Sequence, residues 1–231
     1  MPKDPFELIS PMSQMKVYEA DLGDDYEPRK QIVSPQTPLA KAAVDLLARA
    51  QVVLDNAPEG LVKIYIFGGC AVHMLTNSRG SGDIDAEVVG AGMIKVNDIK
   101  LVYEQPESYE TQDGDVGQVN FDFKFNNALG PLHEDYTERA IPVEGFEPGS
   151  SLQIYIASGV DIAISKLDRF TDQDKSDIEN LMRCGRVKPQ HLQKLGLEAI
   201  DIAIGNQNMM RINLNEVLEP YLENENDTPE P

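Results

Sequence analysis

Residues 61–67 are apolar almost without a break, the pattern of a strand buried on both faces. Gly68 and Gly69 end the run, and residues 70–75 then predict a short helix. At 83–89 the chain alternates: Ile84, Ala86 and Val88 on one face, Asp83, Asp85 and Glu87 on the other. Upstream, Thr37 and Pro38 suit an N-cap and a first helical position. Leu39, Ala43, Leu46, Leu47, Ala50, Val53 and Leu54 then recur at spacings of three and four, one apolar helix face. Downstream, residues 99–104 predict a strand, and 107–117 a loop or hairpin tip holding Asp113-Gly114-Asp115. Residues 119–125 alternate most cleanly, with Val119, Phe121, Phe123 and Phe125 inward and Asn120, Asp122 and Lys124 outward. The stretch 126–151 is irregular, with room for a short strand at 140–143, and loops of this length often cover a substrate. A last strand at 152–156 leads through Ser158, an N-cap, into a helix, and helices follow over 177–183, 188–204 and 206–222.

Composition narrows the function classes. The chain has 231 residues and a formal net charge of −19, so it lacks the basic footprint with which a protein grips nucleic acid unaided. No apolar run reaches the roughly 18–20 residues of a membrane helix, and residues 1–5 carry no signal-peptide pattern. Cys70 and Cys184 are the two cysteines, too few for a disulfide framework, which fits a cytoplasmic protein. Residues 1–33 read as an N-terminal arm, and the acidic, proline-containing 223–231 as a disordered tail. There is no Walker phosphate loop and no Rossmann glycine fingerprint. Cys70-x-x-His73 lacks paired zinc spacing and reads as packing behind the glycine turn.

The chemistry concentrates between 64 and 89. Two glycines after a buried strand free backbone N–H groups for a phosphate, and the following helix aims its N-terminus at the same point. Asp83 and Asp85, two apart in a strand, share a face. Adjacent carboxylates repel, and a divalent cation removes that cost. Mg²⁺ takes such oxygen ligands and keeps part of its shell for substrate phosphates. These parts point to a metal–triphosphate site.

Gly68-Gly69 followed by Arg79, Ser81, Asp83-Ile84-Asp85 resembles the signature of the DNA polymerase β-type nucleotidyltransferase superfamily, nearest the abortive-infection-type toxin nucleotidyltransferases and related uncharacterised bacterial domains. The resemblance covers residues 40–185. It implies an α+β fold: a mixed sheet flanked by helices, as a core at 34–170, with a helical C-terminal part at 171–222. It also implies a third carboxylate on the later alternating strand, here Asp122, so that Asp83, Asp85 and Asp122 would hold two Mg²⁺ ions. Gly68, Gly69 and Ser81 would contact phosphates, Arg79 would bind phosphate or brace its loop, and Lys166 would bind the nucleoside triphosphate. Asp174 and Asp177, three apart, read as holding Arg169 or capping their helix. The implied activity moves a nucleoside monophosphate to an acceptor hydroxyl on RNA, protein or a small molecule, with an antitoxin partner under the toxin likeness. The chain departs from the terminal-CCA enzymes, which carry Arg-Asp where Val72-His73-Met74 stands. The alternative is a nucleotide- or partner-binding protein that keeps the fold without catalysis.

Overall fold

The computed structural model describes residues 32–54, 57–90, 99, 101–111, 113–126 and 130–222. The expected arm before residue 32, the turn expected at 90–92 beyond Gly90, and the expected tail after 222 lie outside them. The fold is α+β, with helices over two small mixed sheets.

Helix α1 (Pro38–Ala48) starts as its sequence dictates: the Thr37 hydroxyl accepts the Ala40 N–H at 3.1 Å. Such a cap contributes about 1 kcal/mol. Its apolar face is buried from Leu39 to Leu47, and the chain tightens into a 3₁₀ turn at Arg49–Val53. Tighter winding rotates the later residues, so Val53, expected on the buried face, is exposed while Leu54 stays buried.

Strand β1 (Val62–Ile66) is the centre of the first sheet. It pairs antiparallel with β3 (Ala86–Gly90) and parallel with β7 (Leu152–Ile156), and β7 carries the short β6 (Ile141–Pro142) on its far side. The second sheet joins β2 (Asp83–Ile84) parallel to β5 (Val116–Phe121), which pairs antiparallel with β4 (Glu107–Glu110). Between β2 and β3, at Asp85, the chain leaves one sheet for the other. The single strand expected across 83–89 is therefore two, and Glu87 parts from the aspartates: it lies opposite Tyr65, and its carboxylate takes the Tyr136 hydroxyl.

Two other expectations are corrected. Ile99 and Leu101 are helical, not in a strand. Ile99 and Tyr103, four apart, are buried while Leu101 is exposed, and the Tyr103 hydroxyl donates to the Leu47 carbonyl. That spacing is helical. Likewise β5 stops at Phe121, not residue 125. Its partner β2 ends at Ile84, and the Lys124 N–H turns onto the Asp122 carboxylate at 2.8 Å, so Phe123 is exposed. Of the loop or tip expected at 107–117, Glu107–Glu110 is strand β4, and the Thr111 N–H donates to the Asp115 carbonyl at 2.8 Å across the hairpin tip, with Gly114 at φ +84°.

Helix α2 (Gly68–Thr76) follows β1 directly. After α3 (Tyr136–Arg139) come α4 (Gly159–Ser165), capped by Ser158, α5 (Asp172–Arg183), α6 (Pro189–Ile202) and α7 (Gln207–Leu222). Helix α4 packs on α2, α5 and α6, and α7 closes over α5 and α6. Helix α5 begins five residues before the expected 177 because Thr171 and Asp174 form a capping box. Among the described residues no helix is long and apolar enough to cross a membrane.

Candidate functional site

The site forms where β1 ends. The Phe67 N–H donates to the Asp85 carbonyl at 2.7 Å, tying the end of β1 to the crossing between the sheets. Gly68 then turns at φ +59° to open α2. A methyl group on Gly68 would sit 1.7 Å from Asp85 Oδ2, so the Asp85 carboxylate lies directly against the glycine α-carbon. Gly69 is needed for a different reason: a Cβ there would come within 2.5 Å of Arg79 Nη2. The N-terminus of α2 has no side-chain cap, and Gly68, its first residue, lines the same cleft as Asp85.

Burial pushes the Asp85 carboxyl above the ordinary carboxylate range, the charges of Asp122 and Asp83 push it further, and Lys166 and Arg169 only partly offset this. The β2–β5 register explains the grouping: Asp83 lies opposite Asn120 and Ile84 opposite Phe121, so Asp85 and Asp122 leave their strands level with each other. Asp83 points to solvent, and the Ser81 hydroxyl donates to the Asp83 carbonyl at 2.9 Å. Asp85 and Asp122 line one cleft. The donor set fits a hard divalent cation: carboxylate oxygens only, one of them carrying uncompensated charge, with room for further ligands. Among the described residues no three His, Cys, Asp or Glu side chains stand as a ready-made cage; Asp83 is exposed and outside the cleft lining, near enough for its charge to act on Asp85.

Across the cleft stands a ladder of ion pairs built on two buried carboxylates, Asp174 and Asp177. Lys166 Nζ lies 2.7 Å from Asp177 Oδ2 and 3.2 Å from Asp174 Oδ1. Arg169 donates two bonds to Asp174, at 2.8 and 2.7 Å, and the Thr171 N–H and hydroxyl donate to the same carboxylate. Arg79 donates to both oxygens of Asp177, at 2.8 and 2.9 Å, and Gln173 adds a fourth donor group to that site. Burial alone would raise both carboxyls. The Arg169 and Thr171 bonds outweigh it at Asp174, and the Arg79 and Lys166 bonds at Asp177, so both are held below the usual range. Asp174 thus holds Arg169 and caps α5, and Arg79 braces its loop with both oxygens of a buried carboxylate.

The cleft has a volume of about 430 Å³. Gly68, Asp85, Asp122 and Lys166 line it, as do Phe67, Phe125, Pro131 and Leu132 on an apolar side and Ser165, Asp168 and Arg169 beside the lysine. Gly69, Arg79, Ser81 and Asp83 are not among its lining residues. The sequence signal for Ser165, Asp168 and Arg169 was their place within three residues of Lys166. Phe125 had none, since alternation assigned it to a strand face. Phe125 instead stacks on Phe67 at 5.5 Å, and Pro131 and Leu132 come from the long irregular stretch.

Cys70 and His73 are not among the residues that line the cleft. Cys70 is buried, its thiol pushed up to about 12 by burial and then by Asp85. His73 bridges Thr37 Oγ1 and the Arg79 carbonyl, each at 2.6 Å, and so ties α1 to the Arg79 loop.

Residues 42–223 match the model of a family described as a nucleotidyltransferase of unknown function, DUF6036. None of the curated proteins matches the chain. The match spans most of the 231 residues, and the chain belongs to that family.

Proposed function

We propose that this member of a nucleotidyltransferase family is an active enzyme of the DNA polymerase β type, moving a nucleoside monophosphate from an NTP to an acceptor hydroxyl in the cleft at Gly68. One observation carries the reading: Asp85 and Asp122 stand level beside a left-handed Gly68 and an uncapped helix N-terminus, with Lys166 on the facing wall. Carboxylates for a cation and N–H groups for an anion are what a metal–triphosphate needs.

Asp85 and Asp122, with Asp83 drawn in, would hold two Mg²⁺ ions, which would screen the phosphate charge and stabilise the entering and leaving oxygens. The N–H groups of the Gly68-Gly69 turn receive the phosphates, and Lys166 and Arg169 supply positive charge on the facing wall. The acceptor oxygen bonds to the α-phosphorus, the bond to the bridging oxygen breaks, and pyrophosphate leaves. The acceptor proton passes to Asp122 as general base. Arg79, bonded to Asp177, and Ser81, bonded to the Asp83 carbonyl, shape the loop that carries the aspartates. The acceptor is a hydroxyl of RNA, protein or a small molecule. Kinship with the toxin nucleotidyltransferases, and with it an antitoxin partner, belongs to this proposal.

A second reading is nucleotide binding without transfer, and the solvent-exposed place of Asp83, outside the cleft lining, favours it. Incorporation of label from each α-³²P NTP with Mg²⁺, into total RNA, protein or a small-molecule pool, separates the two. Label lost in Asp85→Ala supports transfer. Triphosphate binding without label in any pool supports the second reading.

A further inference from the structure

We propose that Asp177 is a positioning residue that sets the two walls of the cleft against each other, an inference that rests on the nucleotidyltransferase reading. Its carboxylate is fully buried, and it stands behind the cleft, not in it. On one side it takes Arg79 through two bonds, at 2.8 and 2.9 Å. On the other it takes Lys166 at 2.7 Å.

Each partner reaches a different half of the site. The Arg79 guanidinium lies against Gly69, so close that a Cβ would clash with it at 2.5 Å, and the Arg79 carbonyl is held by His73 of α2. Arg79 also sits in the loop that delivers Asp83 and Asp85. Lys166 lines the opposite wall. The glycine turn and the cleft ammonium are therefore registered through one carboxylate that neither substrate nor metal touches. Arg79 is 98 residues from Asp177 in sequence, so this link closes the site across the whole fold.

The ladder also sets charge. Arg79, Lys166 and Arg169 face Asp174 and Asp177, three cations against two anions. Removing the Asp177 charge leaves two cationic charges in excess where one stood, which favours binding a polyanion. Removing it also loosens Arg79 and leaves Lys166 to Asp174 alone, at 3.2 Å, which shifts both from their fixed positions and disfavours transfer. Displacement of reacting groups by about 1 Å can cost on the order of a hundredfold in rate. A residue that only supported the fold would weaken binding and turnover together.

The test is Asp177→Asn, the isosteric change, with Arg79→Lys as a second variant should the first fail to fold. Mg²⁺–NTP affinity is measured by calorimetry, turnover by label transfer, and amide hydrogen exchange is followed over residues 66–82. Both variants are expected to exchange faster in that segment. Asp177→Asn is expected to bind NTP as tightly as wild type or more tightly, and to transfer on the order of a hundredfold more slowly. Exchange unchanged at 66–82 in a folded variant overturns the proposal, as does weaker binding with undiminished turnover of the bound fraction. The exchange result stands whether or not the wild type transfers label. A wild type that binds no NTP refutes the functional reading alone.

Discussion

Gly68→Ala perturbs the site at one carbon. Gly68 lies at φ +59°, where a side chain costs about 1–2 kcal/mol. The added methyl would lie 1.7 Å from Asp85 Oδ2, 2.6 Å from its Cγ and 3.0 Å from its Cβ. No rotation of the oxygen alone relieves three such contacts, so the whole carboxylate must swing away. Asp85 is only partly buried and has open cleft beside it, which keeps the packing cost at the low end of the roughly 1–3 kcal/mol for overpacking. The folded protein should lose about 2–3 kcal/mol in urea denaturation, with an unchanged m-value. Activity should suffer far more, since Asp85 leaves Asp122 and the helix N-terminus together: about a hundredfold or greater loss of label transfer. Gly68→Ala with wild-type transfer and stability would refute the account of why glycine stands there. Loss of stability with full activity would show that the Asp85 position is not used.

Other consequences are equally concrete. Saturating Mg²⁺ should raise the midpoint of thermal unfolding in wild type and not in Asp85→Asn or Asp122→Asn, since a ligand at a hundred times its Kd adds about 2.7 kcal/mol; equal shifts in all three would place the cation elsewhere. Asp174 and Asp177 have lowered pKa values, so their stabilisation is present above the unfolded value of 3.8 and is lost as pH falls below it. Asp85 is raised and acts with the opposite sign: its carboxyl favours the fold below 3.8, and that contribution is lost as pH rises through its folded pKa. Urea titrations in metal-free buffer should therefore show Asp177→Asn with a flatter acid limb than wild type, and Asp85→Asn with added stability near neutrality; parallel curves would contradict both assignments. Cys70→Ala should keep transfer within about twofold and lose roughly 1 kcal/mol for the vacated volume, whereas an inactive, folded variant would restore a role for the thiol.

Much of the fold was legible because its signals are local. Thr37-Pro38 fixes the start of α1, the apolar run at 61–67 contains β1, and 152–156 is β7 to the residue. Gly68 and Asp85 could be singled out because a glycine turn and alternating acids are short-range patterns, whereas Asp122 was reached through the family resemblance; the structure brings these three into one cleft. What was hidden is decided by partners distant in sequence. Alternation runs unbroken through 83–89, yet the chain changes sheets at Asp85 because β2 finds β5 and β3 finds β1. Alternation also continues through Phe125, but no strand remains for β5 to pair with beyond Ile84 on that edge. Arg79 carried two readings in the sequence, phosphate ligand or brace. Only the fold, by placing Asp177 beneath it, engages its guanidinium.

The most direct test of the central claim needs no knowledge of the acceptor. NTP labelled at the γ-phosphate is incubated with the protein, Mg²⁺ and a heat-inactivated cell extract as acceptor pool, so that no extract enzyme splits pyrophosphate or NTP, and the released label is resolved as pyrophosphate or orthophosphate. Nucleotidyl transfer predicts labelled pyrophosphate, formed by wild type and lost in Asp122→Asn. Release as orthophosphate, or pyrophosphate formed equally by the variant, would contradict the assignment of this cleft to nucleotidyl transfer.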